Sequence, residues 1–308
     1  MKNPGILLTK WQLNLRPMSK KIFWIASYPK SGNTLIRAIL ASLFFTKDGI
    51  FSFEILKKVL LFENFQRLNF IKKENIQDYK KLSDLKILSK YWLKMQSKEN
   101  LGLRDGEFCF LKTHSAQLTY FDNYFTDIKH TLGFIYIIRD PRDISISYTH
   151  HLKNTLDETI LNMTKNTTGF NYVEKNIGDK IEPYALLSRW DVHVKSWMLF
   201  RVPNLVLRYE DLIEKKKEII YRIINFFEKN YNFKFHNIDH KIENIIASTD
   251  FETLKKNEEK YGFDEKINKD VPFFNVGKSQ QWKTQLNSTQ KNLIENEFRD
   301  EMVKFKYL

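Results

Sequence analysis

The 308-residue sequence predicts an α/β fold in which helices flank a central, mainly parallel sheet. Short apolar runs alternate along the chain with longer segments of helical periodicity. The runs are largely continuous rather than alternating between apolar and polar residues, as is typical of parallel strands buried on both faces. No Pro-, Gly- or Ser-rich linker and no internal repeat divides the chain. We therefore expect one domain over 1–308, with a short N-terminal extension at 1–20.

Each predicted element follows from its local pattern. The predicted strands are 22–26, 108–112, 133–138 and 205–209. The predicted helices are 34–45, 53–62, 79–95, 143–153, 183–200 and 210–229. Parallel sheets bind ligands at the carboxyl ends of their strands, so the residues that follow each strand are the first candidates for a site.

The charge balance is basic, with 50 Lys and Arg against 37 Asp and Glu, a net charge of +13. This balance fits attraction of a nucleotide, an acidic acceptor, nucleic acid or an anionic membrane, and equally fits lysines on solvated faces. No run of eighteen apolar residues predicts a membrane-spanning helix, and no signal-peptide pattern opens the chain. We expect a cytoplasmic protein.

Neither cysteine nor metal chemistry is favoured by the sequence. The single Cys109 lies in an apolar run, which indicates a buried, inert thiol rather than a nucleophile. His236 and His240 have the spacing of one helix face, but no third ligand accompanies them. We expect no metal site.

The loop after the first predicted strand has the composition of an anion site. It contains Lys30, Ser31, Gly32, Asn33 and Thr34 directly before a predicted helix. Backbone N–H groups at a helix start attract anions, Gly allows close approach, and Lys adds a mobile charge. The same residues could form a well-capped strand-to-helix turn. The Gly and Lys order of a Walker A loop is absent, which argues against a P-loop kinase.

Two further clusters follow predicted strands. Lys112 ends the second predicted strand and His114 follows it, at a position where a histidine can serve as a general base. Arg139 follows the third strand, and Ser147 lies about one helical turn beyond Asp143. An arginine–aspartate surface turn and a buried helix serine would also account for the third cluster.

Together these clusters resemble the sulfotransferases that use 3′-phosphoadenosine 5′-phosphosulfate (PAPS) as donor. The resemblance rests on Tyr-Pro-Lys-Ser-Gly-Asn-Thr at 28–34, Lys-Thr-His at 112–114, and the Arg–Ser spacing of 139 and 147. It implies a P-loop-like three-layer fold and a PAPS-binding site. It further implies that Lys30 contacts the 5′-phosphate, that His114 removes the acceptor proton and that Lys112 steadies the sulfuryl group. Arg139 and Ser147 would bind the 3′-phosphate.

Shorter segments extend the resemblance toward the C-terminus and imply further contacts to the nucleotide. These contacts are assigned to Tyr209, Thr249, Phe251, Gly277 and Lys278. The chain departs from the family pattern where Leu35 replaces a tryptophan, and where Asn275 and Val276 replace a basic pair.

The resemblance implies in-line transfer of a sulfuryl group to an acceptor hydroxyl, or less favourably to an amine, without a metal. The region 49–107 is expected to form a helical acceptor site for an unidentified acceptor. A homodimer is possible, and no nucleic-acid partner is expected. The alternative is a nucleotide- or polyanion-binding protein of the same fold that lacks catalysis.

Overall fold

The computed structural model describes residues 21–152, 154–166, 185–265, 272–274 and 276–308. Asn275 and the N-terminal extension at 1–20 lie outside these ranges. The strands are β1 Ile22–Ser27, β2 Leu60–Leu61, β3 Cys109–Thr113, β4 Thr119–Tyr120, β5 Asn123–Tyr124, β6 Thr131–Ile138 and β7 Asn204–Arg208. The helices are α1 Asn33–Phe45, α2 Phe53–Leu56, α3 Asn69–Glu74, α4 Ile76–Tyr79, α5 Leu85–Ser89, α6 Trp92–Met95, α7 Lys98–Leu101, α8 Pro141–Leu152, α9 Leu156–Thr164, α10 Trp190–Met198, α11 Tyr209–Glu214, α12 Lys216–Tyr231, α13 Ile238–Ser248, α14 Phe251–Tyr261, α15 Trp282–Gln285, α16 Ser288–Glu297 and α17 Arg299–Lys304.

Five strands form one sheet in the order β2-β3-β1-β6-β7, in which every pairing is parallel. The β4 and β5 strands form a separate antiparallel hairpin. The central strand is β1, whose Ala26 lies opposite Thr113 of β3 and Tyr136 of β6. Helices supply the crossovers that parallel neighbours require. The prediction of an α/β fold with a central parallel sheet flanked by helices is confirmed.

Apolar layers cover both faces of the sheet. Trp24 of β1 and Phe134 of β6 face one layer, together with Trp197 of α10. Phe23 and its neighbours face the other layer, where Phe227 of α12 lies 4.8 Å away between ring centroids. Successive side chains of a strand point to opposite faces, so a strand buried on both sides must be apolar throughout. Within the described residues, no helix is long and apolar enough to cross a membrane.

The predicted helix over 53–62 is wrong in its second half. The α2 helix ends at Leu56, and Leu60–Leu61 forms the edge strand β2, which pairs with Leu111 and Lys112 of β3. Two residues are too few to impose a periodicity of their own, so pairing with β3 determines their conformation.

Three other predicted helices are shorter or broken. The 79–95 segment forms α5 and α6, separated by a turn, rather than one helix. The 183–200 segment becomes helical only at Trp190, and its first two residues lie outside the described ranges. The 210–229 segment is two helices, because Lys215 leaves helical geometry with φ −130° and ψ 41°. The spacing of apolar residues continues unchanged across a break of one residue, as at Lys215. The sequence pattern therefore does not reveal the break.

The apolar face of α12 provides a test of the core. Ile223 is fully buried in that face, so Ile223→Ala should lower the free energy of unfolding by about 2–5 kcal/mol through lost burial and a residual cavity. Asn225→Ala, on the exposed face of the same helix, should change it by no more than about 0.5 kcal/mol. Urea unfolding followed by circular dichroism measures both. Equal effects in the two variants would contradict this packing.

Candidate functional site

The candidate site lies at the carboxyl edge of the sheet, centred on the end of β1. The parallel pairing brings the segments after β3 and β6 to either side of the loop that follows β1. The segment after β7 is one strand further along, since Ile138 of β6 lies opposite Arg208. Three separate sequence clusters therefore meet at one edge.

The loop between β1 and α1 has an unusual backbone. Lys30 has φ 64° and Gly32 has φ 93°, the left-handed conformation that residues other than glycine seldom adopt. The Asn33 amide donates inward, to the Ser27 hydroxyl at 3.1 Å and the Ile25 carbonyl at 3.3 Å. Asn33 thus anchors the loop to β1 through its side-chain nitrogen. The fifth loop residue, Thr34, is half-buried at the start of α1.

Gly32 is required by close packing as well as by its backbone angle. A β-carbon at this position would lie 2.5 Å from Cδ2 of Tyr209, closer than any non-bonded contact allows. The Tyr209 ring also lies under the guanidinium of Arg139, 4.3 Å from its carbon to the ring centroid. Tyr209 therefore joins the loop after β1 to the arginine after β6.

Arg139 connects two loops that are far apart in sequence. Its Nη1 donates to the Lys30 carbonyl at 2.8 Å, and its Nη2 donates to the Lys278 carbonyl at 3.2 Å. Neither its Nε nor the hydroxyl oxygen of Ser31 has a hydrogen-bond partner in the described part of the chain, although both atoms are buried. Buried polar groups are normally satisfied, so two such atoms at one sheet edge indicate a polar ligand.

The ammonium group of Lys30 lies over an aromatic ring. It lies 5.2 Å from the centroid of the Phe273 ring. Burial, reinforced by the charge of Arg139, lowers the pKa of Lys30 from 10.5 to about 8. Lys30 is therefore mostly charged at neutral pH and loses its proton at mildly alkaline pH.

His114 is held in one orientation by β1. Its Nδ1 lies 2.8 Å from the Ser27 carbonyl oxygen, which can only accept a hydrogen bond. In the neutral ring the proton is thus on Nδ1, and Nε2 carries the lone pair. The side chain is 8% exposed. His114 is therefore largely buried, and in this tautomer its Nε2 can accept a proton.

His193 supports His114 from behind. Its Nε2 lies 3.0 Å from the His114 carbonyl oxygen, and its Nδ1 lies 2.8 Å from the hydroxyl of Tyr136. The ring donates to the carbonyl and accepts from the tyrosine, so both nitrogens are used in the neutral state. Burial lowers the pKa of His193 from 6.5 to about 4. His193 is a neutral structural bridge and not a proton carrier.

Lys112 reaches the site from β3. Burial lowers its pKa from 10.5 to about 8, and the charge of Arg37 acts in the same direction. Glu63 and Glu265 act in the opposite direction and favour the ammonium form. Lys112 is therefore a half-buried cation whose charge at neutral pH is favoured by two carboxylates. Lys30 is also half-buried, but its charged neighbour is a cation, Arg139.

The remaining predicted nucleotide contacts differ in their exposure and in the contacts they make. Ser147 is half-buried on α8. Phe251 packs on Gly277, where a β-carbon would meet its ring at 2.3 Å. The hydroxyl of Thr249 donates to the Ile245 carbonyl at 2.6 Å and therefore caps α13. Lys278 is exposed and contributes its carbonyl to Arg139.

Several residues of the site were missed by the sequence analysis. The Arg37 guanidinium, on α1, makes two 2.7 Å contacts with the Glu265 carboxylate. The Asp143 carboxylate accepts from the backbone N–H of Gln280 at 2.7 Å and of Trp282 at 3.0 Å. Glu63, after β2, accepts from hydroxyls next to His114. Each acts through a partner distant in sequence, so no local pattern identifies it.

The sequence matches one protein family over most of its length. The sulfotransferase domain family profile matches residues 20–306. Sulfotransferase 2A6 of Mus musculus is 26% identical over 177 residues, which are 56% of this chain and 56% of that protein. The chain thus spans just over half the length of this relative. Sulfotransferase 1E1 of Homo sapiens is 26% identical over 296 residues, covering 92% of this chain and 85% of that protein.

A solved structure shows the same fold. It is described as retinol dehydratase in complex with androsterone and the inactive cofactor PAP, and it has a TM-score of 0.59 at 19% identity. The likeness covers 94% of this chain and 82% of that one. At this level of identity the comparison bears on the fold alone.

The bridge through His193 makes the stability of the protein depend on pH. The unfolded chain binds a proton to this histidine near pH 6.5, but the folded protein does so only near pH 4. The stabilisation is therefore present above pH 6.5 and is lost as the pH falls toward 4. Between pH 7 and pH 5 we expect a loss of about 2 kcal/mol from this group. His193→Gln should be less stable at pH 7 but should lose less on acidification.

Urea unfolding of the wild type and the variant at pH 7, 6 and 5 measures this difference. Other groups titrate equally in both proteins and cancel in the comparison. Parallel pH dependences would show that His193 is not buried in its neutral form.

Proposed function

This chain belongs to the sulfotransferase family, and on that premise we propose that it transfers a sulfuryl group from PAPS to an acceptor hydroxyl, or less favourably to an amine. The observation that carries the proposal is the hydrogen bond between Nδ1 of His114 and the Ser27 carbonyl at 2.8 Å. It turns a base in the correct tautomer toward the edge of the sheet where the anion-binding loop begins.

The residues at this edge fit a donor with two phosphate groups. Ser31 and Arg139 each present a buried polar atom that has no hydrogen-bond partner among the described residues. Lys30, Gly32 and the start of α1 suit the 5′-phosphosulfate, while Arg139 and Ser147 suit the 3′-phosphate. Bound PAP in the retinol dehydratase structure is consistent with this choice. The other predicted contacts to the nucleotide remain predictions: Tyr209, Thr249, Phe251, Gly277 and Lys278.

The donor, when bound, supplies an activated sulfuryl group linked to the 5′-phosphate. His114 takes the proton from the acceptor hydroxyl through Nε2, while the acceptor oxygen bonds to sulfur. Lys30 stabilises the negative charge that the departing 5′-phosphate gains as its bond to sulfur breaks. Lys112 stabilises the oxygens of the sulfuryl group as it passes from the 5′-phosphate to the acceptor. Both lysines must be charged, so activity should decline as the pH rises through about 8.

The remaining expectations are also proposals. The region 49–107 supplies much of the acceptor site. A cytoplasmic location, a homodimer and a single domain over 1–308 remain predictions.

Donor recognition can be tested with PAP and AMP, which differ in the 3′-phosphate. We expect PAP to raise the Tm of the wild type more than AMP does at equal concentration, because PAP also engages Arg139 and Ser147. Gly32→Ala should abolish the shift with PAP, since its β-carbon would displace Tyr209.

Gly102→Ala is the matched control. Gly102 also has a positive φ, 67°, but nothing lies within 4 Å of an added β-carbon, so backbone strain is similar while the site is untouched. PAP should still raise the Tm of this variant. Equal shifts with PAP and AMP in the wild type would rule out recognition of the 3′-phosphate.

The role of His114 can be tested with radiolabelled PAPS and p-nitrophenol as a probe acceptor. His114→Ala should lower kcat by about a hundredfold or more, the usual contribution of a general base, while leaving PAP binding intact. His150→Ala, an exposed histidine on α8, should transfer like the wild type. Unchanged transfer in His114→Ala would overturn the assignment of the base. If the wild type binds PAP but transfers to no phenol, alcohol or amine, the non-catalytic alternative is favoured.

A further inference from the structure

A carboxylate beside the end of β3 has no place in the proposed chemistry so far. Glu63 follows β2, whose Leu61 lies opposite Lys112. The backbone N–H of Phe62 also donates to the Lys112 carbonyl at 2.8 Å, so the chain stays beside β3 up to the carboxyl edge of the sheet. The short strand β2 thereby delivers Glu63 to the residues around His114.

One oxygen of Glu63 fixes the backbone on both sides of His114. Its Oε1 accepts hydrogen bonds from the hydroxyls of Thr113 and Ser115, the second at 2.9 Å. The Thr113 hydroxyl accepts in turn from the Ser115 N–H at 2.9 Å, and the Ser115 hydroxyl accepts from the Leu186 N–H at 3.1 Å. Because both hydroxyls give their proton to Glu63, the turn that carries His114 depends on this carboxylate.

The other oxygen of Glu63 acts mainly through its charge. Oε2 is buried and has no hydrogen-bond partner within the described ranges. The carboxylate charge opposes the effect of burial on the pKa of Lys112. It also acts on Arg67, whose guanidinium stays charged at all relevant pH values. A buried carboxylate oxygen without a donor is costly, and neighbouring cations offset that cost.

Two other charges act on Lys112, one lowering its pKa and one raising it. They are Arg37 from α1 and Glu265 from the segment after α14. These two side chains form a bidentate pair with each other at 2.7 Å. Both carboxylates favour the ammonium form of Lys112, and Glu63 has the larger effect.

We propose that Glu63 is a positioning residue for sulfuryl transfer: its carboxylate orients the turn that bears His114 and sets a negative charge beside the strand residue Lys112. This role rests on the proposed function, since it matters only if Lys112 acts on the sulfuryl group. The pKa of Lys112, about 8 in the intact protein, should fall when the carboxylate is removed, because Glu63 opposes the effect of burial. Transfer requires the charged form, which exists below this pKa and is lost above it.

The charge effect can be measured without any acceptor. Competitive labelling of lysines with trace acetic anhydride, read by mass spectrometry at each pH, gives the titration of Lys112 in the full chain. In Glu63→Gln we expect the midpoint to move to lower pH. A fall of one unit would raise the labelling rate at pH 7 about fivefold. Lys30 in the same sample should keep its midpoint, and Glu74→Gln, an exposed carboxylate paired with Lys94, should leave both lysines unchanged.

Transfer to p-nitrophenol provides the second measurement. The alkaline decline of kcat/KM in Glu63→Gln should move to lower pH together with the Lys112 midpoint, whereas PAP should still raise the Tm. Glu63→Asp keeps the charge but shortens the reach to Thr113 and Ser115. It should lower kcat, and its alkaline decline should move to lower pH by less than that of Glu63→Gln. If Glu63→Gln fails to fold, Glu63→Asp is measured in its place.

Two results would overturn the proposal. One is a Lys112 midpoint in Glu63→Gln that moves no more than that of Lys30. The other is an alkaline decline that stays in place although the Lys112 midpoint moves. A wild-type protein that transfers nothing refutes the proposed function instead, and the labelling experiment still decides whether Glu63 sustains the charge of Lys112.

Discussion

Parallel pairing of β1 with β3 on one side and β6 on the other is the constraint on which the site depends. Because all three strands run in one direction, the polar residues that end them must meet at a single edge. The hydrogen bonds from Arg139 to the Lys30 carbonyl and from His114 to the Ser27 carbonyl are consequences of that register. The apolar layers on both faces hold the strands in place. The positions of the polar side chains at the edge therefore depend on the packing of the core.

Much of this arrangement is readable from the sequence, because its main features are local. Continuous apolar runs predict buried parallel strands, and all four predicted strands lie within two residues of their observed bounds. Lys30, His114 and Arg139 were identifiable because each follows such a run. The sequence does not reveal β2, since two residues carry no periodicity and take their conformation from β3. For the same reason it does not reveal Glu63, whose importance comes entirely from its position beside β3.

The lysines of the site illustrate a compromise in burying charge. A cation held away from water interacts more strongly with a developing negative charge, but burial also makes the cation easier to discharge. With pKa values of about 8, Lys30 and Lys112 are still charged at neutral pH, but a further fall in pKa of about one unit would discharge half of each. Neighbouring carboxylates raise the pKa of Lys112, whereas the neighbouring arginine lowers that of Lys30.

The contact between Gly32 and the Tyr209 ring links two positions that are 177 residues apart through a lack of space. Any side chain at 32 would need both a smaller residue at 209 and a left-handed φ of 93°. The smaller residue would also remove the face that supports the Arg139 guanidinium. Position 32 should therefore stay glycine and position 209 aromatic as related sequences diverge. A residue pair of this kind records the three-dimensional contact in the evolutionary history of the chain, even where overall identity is low.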